Sequence, residues 1–208
     1  MPGISPGEDA AWQALTRANP SDVYRMTLAR YDESAERYVL RILGEDYGIF
    51  PRHKVIERLA DRSASLNLDF RLMVLTYLTN ARDIELSRKL VQCRQLRGGD
   101  NFFRGVHNLP VVELETRFGS SLQLFRQVCL SLDGKEVSYG DVAIEIKVLP
   151  KLPLTFILWV ADDEFPARVS ILFDSTADEH LPLDALLAAV RTAVKRIIDR
   201  STERWLRG

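Results

Sequence analysis

Cysteine is scarce in this sequence: only Cys93 and Cys129 occur in 208 residues, and they form no CxxC pair. Two isolated cysteines exclude a disulfide framework and a four-cysteine metal site, and they suit a reducing compartment. Histidine is also rare, with His53, His107 and His180. None of the three lies at the HxH or HExxH spacing that zinc sites use. The sequence therefore predicts a cytoplasmic protein without a zinc centre.

The sequence also lacks an excess of charge of either sign and lacks long hydrophobic runs. The formal net charge is −1, so no global field attracts nucleic acid or acidic lipid. The longest apolar runs, such as residues 156–161, fall far short of the ~20 residues that a membrane helix needs. The first residues contain no basic region followed by an apolar one, so we expect no secretory signal. We therefore expect neither a nucleic acid nor a membrane as partner.

The composition that is present, 46% hydrophobic and 27% charged residues, is typical of a globular protein with a real core. The Pro- and Gly-containing residues 1–7 predict a flexible tail. We expect one α+β domain over residues 8–208, whose sub-lobes would be residues 8–134 and 135–208.

The first half predicts helices around one hairpin. Residues 8–18 and a segment that starts at Asn19-Pro20 predict two N-terminal helices, since Asn caps a helix and Pro suits its first turn. In RYVLRILGEDYGIF, residues 37–50, apolar alternation predicts a hairpin with GEDY as its turn. Residues 66–80 are apolar on most sides, which predicts a buried central helix. A further helix is expected after a cap at Ser120-Ser121.

The second half changes to the period of strands. Residues 142–148, 154–160 and 168–173 predict three strands, and their short connections predict an antiparallel meander. Pro182 then opens a long helix with one apolar stripe. The expected fold is α+β: N-terminal helices and a β-hairpin, central buried helices, and a C-terminal antiparallel meander packed by a long final helix.

Three consecutive acids, Asp162, Asp163 and Glu164, separate two of the predicted strands. Clustered carboxylates provide the oxygen ligands that Mg²⁺ takes, and they raise one another's pKa as a general acid requires. Acids in a tight strand connection also occur because they tolerate turn dihedrals and water. A ligand-facing cluster and a solvated turn both remain open interpretations.

A second candidate lies in RGGDNFFRGVH, residues 97–107. Gly98 and Gly99 would let backbone N–H groups face an anion, and Arg97 and Arg104 would add positive charge. The alternative is a turn followed by an aromatic anchor, Phe102-Phe103, because glycine pairs usually mark turns.

Several motifs, in this order along most of the chain, resemble the uncharacterised family called domain of unknown function 3786. They are Tyr31-Asp32, Tyr38-Val39-Leu40, Tyr77-Leu78, Gly98-Gly99, Gly140-Asp141, Leu149-Pro150-Lys151-Leu152-Pro153-Leu154, the run from Trp159 to Ala167, and Leu172-Phe173-Asp174-Ser175. The resemblance implies an origin in anaerobic bacteria or archaea and no established activity. Some relatives carry an iron–sulfur segment with clustered cysteines, which two separate cysteines cannot reproduce.

With this resemblance, we expect a ligand-binding cluster at one rim of the meander, since loops at sheet ends carry binding residues. Its expected members are Asp141, Trp159, Asp162, Asp163, Glu164 and Asp174. The leading hypothesis is a non-catalytic accessory protein of anaerobic metabolism that binds a small ligand or a cofactor of unknown identity there.

Two other hypotheses stay open. One is a hydrolase or lyase that holds Mg²⁺ or Mn²⁺ with Asp141, Asp162, Glu164 and Asp174. The other is a protein-interaction module that docks a partner protein on the basic final helix, around Arg196 and Arg200.

Overall fold

The computed structural model describes residues 6–205. Its helices are α1 (Pro6–Arg17), α2 (Pro20–Thr27), α3 (Leu68–Asn80), α4 (Gly99–Phe102), α5 (Val111–Phe118), α6 (Leu122–Leu130), α7 (Ala177–His180) and α8 (Leu183–Trp205). Its strands are β1 (Arg30–Asp32), β2 (Arg37–Ile42), β3 (Glu45–Phe50), β4 (Val55–Arg58), β5 (Leu90–Gln92), β6 (Lys135–Val137), β7 (Val142–Leu149), β8 (Leu152–Trp159) and β9 (Arg168–Asp174). The expected α+β class is confirmed.

Helices α2 and α3 begin at side-chain caps that the sequence supplies. The Asn19 side chain accepts a hydrogen bond from the Ser21 N–H at 2.9 Å, and the Asn67 side chain accepts one from Phe70 N–H at 2.9 Å. Each cap satisfies a backbone donor that has no partner inside the helix. The expected cap at Ser121 is different: the residue holds the cap position of α6, but its side chain makes no capping hydrogen bond.

The first sheet is antiparallel, with the order β1-β2-β3-β4. Its central hairpin is the predicted one, but the turn is Leu43-Gly44, and Glu45, Asp46 and Tyr47 belong to β3. Leu43 and Gly44 have φ angles of 48° and 79°, the left-handed conformation that two-residue hairpin turns need. The GEDY prediction was wrong because Gly44 marks the turn itself and not its beginning.

The second sheet is the predicted antiparallel meander with one extra strand at each edge, in the order β5-β9-β8-β7-β6. Its central strand β8 is buried from Leu152 to Leu158, so both faces of the sheet are covered. Strand β5 comes from residues that precede position 134. The proposed division at 134/135 therefore separates β5 from its partner strand β9 and from the rest of the sheet.

One hydrophobic cluster joins the helices and both sheets. Helix α8 packs against α3, α5, α6 and α7, and its apolar stripe, with Leu186, Val190 and Val194, is buried in the same cluster as Leu40 of β2 and Phe156 of β8. The sheets also touch directly, because Leu43 N–H donates to the Val148 carbonyl at 3.3 Å.

Two helix predictions need correction. Helix α1 already includes Pro6 and Gly7, whereas residues 1–5 of the predicted tail lie outside the described residues. Helix α3 is buried on one side only: Leu68 and Leu72, four residues apart on one face, stay exposed. Within residues 6–205, no helix combines the length and hydropathy that crossing a bilayer requires.

Candidate functional site

A groove opens at the end of the second sheet where β8 ends and β9 begins. We call it the Trp159 groove; its volume is about 540 Å³, and it is lined mainly by Asp141, Trp159, Asp162, Phe165, Pro166 and Arg168. This volume falls in the range of roughly 300–1,000 Å³ that small-molecule sites occupy. The groove contains three of the six predicted ligand-binding residues: Asp141, Trp159 and Asp162.

Trp159 and Arg168 face each other across the antiparallel β8–β9 pair. The Arg168 guanidinium carbon lies 5.6 Å from the centre of the indole ring, which is cation–π contact distance. Trp159 is half-buried and Arg168 is exposed. The indole therefore forms a wall of the groove and leaves part of its surface open to a ligand.

Asp141 is held beside the indole by the turn before β7. Its Oδ2 accepts the Val160 N–H at 2.9 Å, while its own N–H donates to the Leu158 carbonyl at 3.2 Å. Gly140 makes this turn possible, since its φ is +55° and a Cβ there would lie 2.6 Å from Ile157 Cγ2 and 3.1 Å from Trp159 Cε2. Glycine alone permits so close an approach to Trp159.

The acidic loop is organised by Asp162. Its Oδ1 accepts the Glu164 N–H at 2.9 Å and the Phe165 N–H at 2.7 Å, and its N–H donates to the Phe165 carbonyl at 3.0 Å. These backbone hydrogen bonds lower the pKa of Asp162, the one from Phe165 most, because they favour the ionised form. Asp162 is therefore a loop-forming carboxylate, as the solvated-turn interpretation expected.

Asp163 and Glu164 lie at the tip of this loop. Both are exposed, and in the part of the chain that the structure describes, neither carboxylate has a hydrogen bond or an ion pair. They stand beside the Trp159 groove but do not line it. They contribute charge to its entrance.

Asp174 lies elsewhere, and the prediction that all six residues share one rim was wrong for it. Trp159 pairs with Arg168 at one end of the β8–β9 ladder, and Leu154 pairs with Phe173 at the other. Six residues of strand at ~3.3 Å each place Asp174 about 20 Å from Arg168. Successive antiparallel strands run in opposite directions, so the C-terminal residues of β8 and β9 lie at opposite ends of the strands and cannot meet.

Asp174 is a buried structural carboxylate with 3% exposure. Its Oδ1 accepts from Ser87 N–H (3.1 Å), Ser87 Oγ (2.9 Å), Thr176 N–H (3.0 Å) and Thr176 Oγ1 (2.6 Å), and its Oδ2 accepts from Arg88 N–H (2.6 Å). Burial acts most strongly on its pKa, in the upward direction, but the hydrogen bonds from Thr176 and Ser87 together lower the pKa below its usual value. Asp174 thus anchors the segment that leads into β5.

Metal binding gains no support from this arrangement. Among residues 6–205, no group of three or more His, Cys, Asp or Glu side chains is placed to hold a metal ion. The four carboxylates of the hydrolase hypothesis are divided between the two ends of the sheet, with Asp174 at the far end.

Two donors of the predicted anion loop already have carboxylate acceptors. Arg97 N–H donates to Asp178 Oδ2 at 2.9 Å, and the Arg104 guanidinium contacts the Asp100 carboxylate at 2.6 Å. Gly98 adopts a φ of +78°, while a Cβ on Gly99 would lie 2.0 Å from the Cys93 carbonyl oxygen. The glycines therefore serve a tight turn and close packing, and Asp178 contacts the backbone N–H that an anion would need.

The family model described as Domain of unknown function (DUF3786) matches residues 19–196. The chain belongs to this family. The resemblance identified from the sequence is thus confirmed. No curated protein and no solved structure matches the chain.

Of the motifs that resemble DUF3786, those of the second half lie at the two ends of the second sheet, whereas Tyr31-Asp32 and Tyr38-Val39-Leu40 lie in the first sheet. Gly140-Asp141 and the run that starts at Trp159 form the groove. At the far end, Tyr77 Oη accepts the Lys151 N–H at 3.2 Å and donates to the Thr27 carbonyl at 3.0 Å. Lys151 Nζ donates to the carbonyls of Arg82 (2.8 Å) and Arg25 (3.2 Å). This polar junction ties the β7–β8 turn to the helical half of the DUF3786 domain.

His180 completes the polar junction. It is fully buried, its Nδ1 accepts the Arg82 N–H at 3.4 Å, and its Nε2 has no hydrogen-bond partner among the described residues. Burial, followed by the charge of Lys151, lowers the pKa of His180 against the opposing influence of Asp174 and Glu179. Sequence reasoning missed this junction because its members come from separate elements at no fixed spacing.

Sequence reasoning also missed Phe165 and Arg168 as groove residues. Phe165 is 66% exposed, which is unusual for a large aromatic side chain. Arg168 could have been predicted from the strand register, since the antiparallel pairing of β8 and β9 places Arg168 opposite Trp159.

The two arginines of the interaction hypothesis are engaged within the molecule. Arg196 and Arg200 both form ion pairs with Glu45 of β3, at 2.8 Å for Arg200. They connect α8 to the first sheet, so neither offers a free cation to a partner protein.

Proposed function

We propose that this DUF3786 protein is a non-catalytic binding protein that holds a small ligand in the Trp159 groove. One observation carries the proposal: a half-buried indole, an exposed phenyl ring and three charged side chains meet in one groove of small-molecule size. The charged side chains are those of Asp141, Asp162 and Arg168. An apolar wall with a few convergent polar groups is the usual composition of a ligand site.

The two carboxylates that line the groove favour binding over catalysis because each already has a structural role. Asp162 accepts two backbone N–H groups, and Asp141 accepts one. The lowered pKa of Asp162 keeps it ionised near neutral pH, which does not suit a general acid. These residues shape the hollow and orient a ligand.

The family resemblance adds the setting of this proposal, a cytoplasmic accessory role in anaerobic metabolism. Cell fractionation with an antibody against the protein tests its location: we expect the protein in the cytoplasmic fraction, and recovery with membranes or in the medium would contradict this part.

The proposal is tested with ¹⁵N-labelled protein and a library of small aromatic and heteroaromatic fragments. The indole N–H signal of Trp159 is assigned by its loss in Trp159→Phe. We expect a subset of fragments to shift this signal and to leave the signal of Trp12 in place, since Trp12 is 1% exposed in the core.

Phe165→Ala provides the matched variant. Removal of this exposed ring lowers fragment affinity without changing the melting temperature, whereas Tyr24→Ala, which removes an exposed ring on α2, changes neither. A library in which no fragment shifts the Trp159 signal, or in which Phe165→Ala binds as well as the parent protein, overturns the proposal.

A further inference from the structure

A cationic side chain, that of Arg168, already lies over the indole ring of the Trp159 groove. The Arg168 guanidinium lies over the ring at 5.6 Å, and it reaches this position from the exposed end of β9. Among residues 6–205, the Arg168 side chain has no carboxylate partner in hydrogen-bond or ion-pair contact. Attraction to the quadrupole of the indole ring therefore favours this position of the guanidinium, with no carboxylate competing for it.

Charge at the entrance of the groove also favours a cation. The groove lining and the loop beside it carry four carboxylates against one guanidinium, that of Arg168. The carboxylates are Asp141, Asp162, Asp163 and Glu164. Asp163 and Glu164 have no cationic partner among the described residues, so their field extends into the open groove. A hollow of this kind concentrates cations and repels anions.

We propose that the ligand of the Trp159 groove is an organic cation, an ammonium or guanidinium group on an apolar or aromatic body, and that it replaces Arg168 on the indole face. This inference rests on the proposed function and names the ligand class. The body would pack on Phe165 and Pro166, which form the apolar side of the groove.

Three probes of one shape separate the alternatives: phenethylamine is cationic at neutral pH, phenethyl alcohol is neutral and hydrocinnamate is anionic. Titration of each into ¹⁵N-labelled protein, followed through the Trp159 indole signal, gives three affinities. We expect phenethylamine to bind about two- to fivefold more tightly than phenethyl alcohol, as a cation–π contact at an exposed site predicts. Hydrocinnamate should bind most weakly.

Two variants test the two parts of the inference. Arg168→Gln frees the indole face and removes a positive charge, so phenethylamine should bind more tightly to this variant than to the parent protein. Asp163→Asn combined with Glu164→Gln should reduce the preference for the cation and lower its dependence on salt. Glu85→Gln, an exposed acid between α3 and β5, is the matched control and should leave all three affinities unchanged.

The outcomes distinguish this inference from the function on which it rests. Equal affinity for the three probes, or a preference for hydrocinnamate that Arg168→Gln abolishes, overturns the cation inference and leaves the groove a ligand site. If neither these probes nor any library fragment shifts the Trp159 signal, the proposed function itself fails. The expected order of affinities, with a smaller preference for the cation in the double variant and an unchanged preference in Glu85→Gln, supports the inference.

Discussion

At the scale of single residues, Asp174 is a carboxylate that accepts five hydrogen bonds. Serine, threonine and backbone donors all point at its two oxygens. Because the carboxylate itself is buried, water replaces only part of these hydrogen bonds if the ionised acceptor is lost, and the loss costs stability. The stability of the β5 segment therefore depends strongly on this one side chain.

Asp174→Asn tests this dependence. We expect the free energy of unfolding to fall by about 2–3 kcal/mol, since the amide presents two N–H groups toward donors that need acceptors. Urea denaturation measures the loss. Asp163→Asn makes the same chemical change on an exposed side chain and should stay within about 0.5 kcal/mol of the parent protein. Equal losses in the two variants would contradict the assigned role.

His180 predicts a dependence of stability on pH. The charged or titratable groups that act on it are Lys151, Asp174, Glu179 and Arg82. Since the pKa of His180 in the folded protein lies below its ordinary value of 6.5, protons bind preferentially to the unfolded chain. This contribution to stability is fully present above pH 6.5 and is lost as the pH falls through the folded-state pKa.

The measurement is the free energy of unfolding between pH 7 and pH 5. In this window, we expect the parent protein to lose up to about 1.4 kcal/mol per pH unit from His180. His180→Asn retains an acceptor for the Arg82 N–H and should remove this slope, although its stability at pH 7 is lower. A slope that is unchanged in the variant would assign the pH dependence to other groups.

At the scale of elements, the turn before β7 fixes the groove through Gly140. Gly140→Ala should destabilise the protein by more than the cost of about 1–2 kcal/mol for a left-handed alanine, because the new methyl group also presses on Ile157 and Trp159. The indole signal of Trp159 should shift as well.

Gly105→Ala is a close control for this prediction. Gly105 has a φ of +57° but no atom within 4 Å of its virtual Cβ, so the substitution has the backbone cost without the contact. Denaturation and the Trp159 signal are measured for both variants. If Gly105→Ala loses as much stability as Gly140→Ala, close packing at the groove contributes nothing.

The elements that the sequence predicted well were long or strongly periodic. Strand β7 and helix α8 repeat their apolar positions often enough to define both type and face, and β8 and β9 are recognisable as short apolar runs between turns. Strands β1, β5 and β6 have three residues each, which is too short for a period to emerge. They exist because longer neighbouring strands offer unpaired edges.

The candidate site was predictable in part for the same reason. The start of β7 and the end of β8 lie at the same end of the meander. The sequence therefore allowed us to deduce that Asp141, Trp159 and Asp162 lie close together. Asp174 was assigned to that end without regard to strand direction. The hydrogen bonds of Asp162 and the close approach of Gly140 depend on backbone dihedrals, which residue types do not specify.

At the scale of the whole molecule, Glu45 links the first sheet to the final helix. It begins β3 and forms ion pairs with Arg58 of β4 and with Arg196 and Arg200 of α8, and its side chain is largely shielded from water. Removal of one charge from a shielded network leaves the opposite charges unpaired, which is costly. The attachment of α8 to the first sheet therefore depends on this carboxylate.

Glu45→Gln should lower the free energy of unfolding by about 2–3 kcal/mol, since its shielding is less than complete. Glu36→Gln is the control, because the Glu36–Arg52 pair is exposed on both sides and should contribute at most about 0.5 kcal/mol. Thermal or urea denaturation measures both. A Glu45 variant as stable as the Glu36 variant would show that α8 is held by its apolar stripe alone.

The pairing of β5 with β9 has a consequence for synthesis. On the ribosome, residues 90–92 emerge long before their partners at 172–174, and chains grow at about 5–20 residues per second. The nascent chain therefore carries an unpaired β-edge for several seconds. Translation stalled anywhere in that interval would leave a segment that pairs readily with other chains. We therefore expect holdase chaperones to bind the nascent chain during this interval.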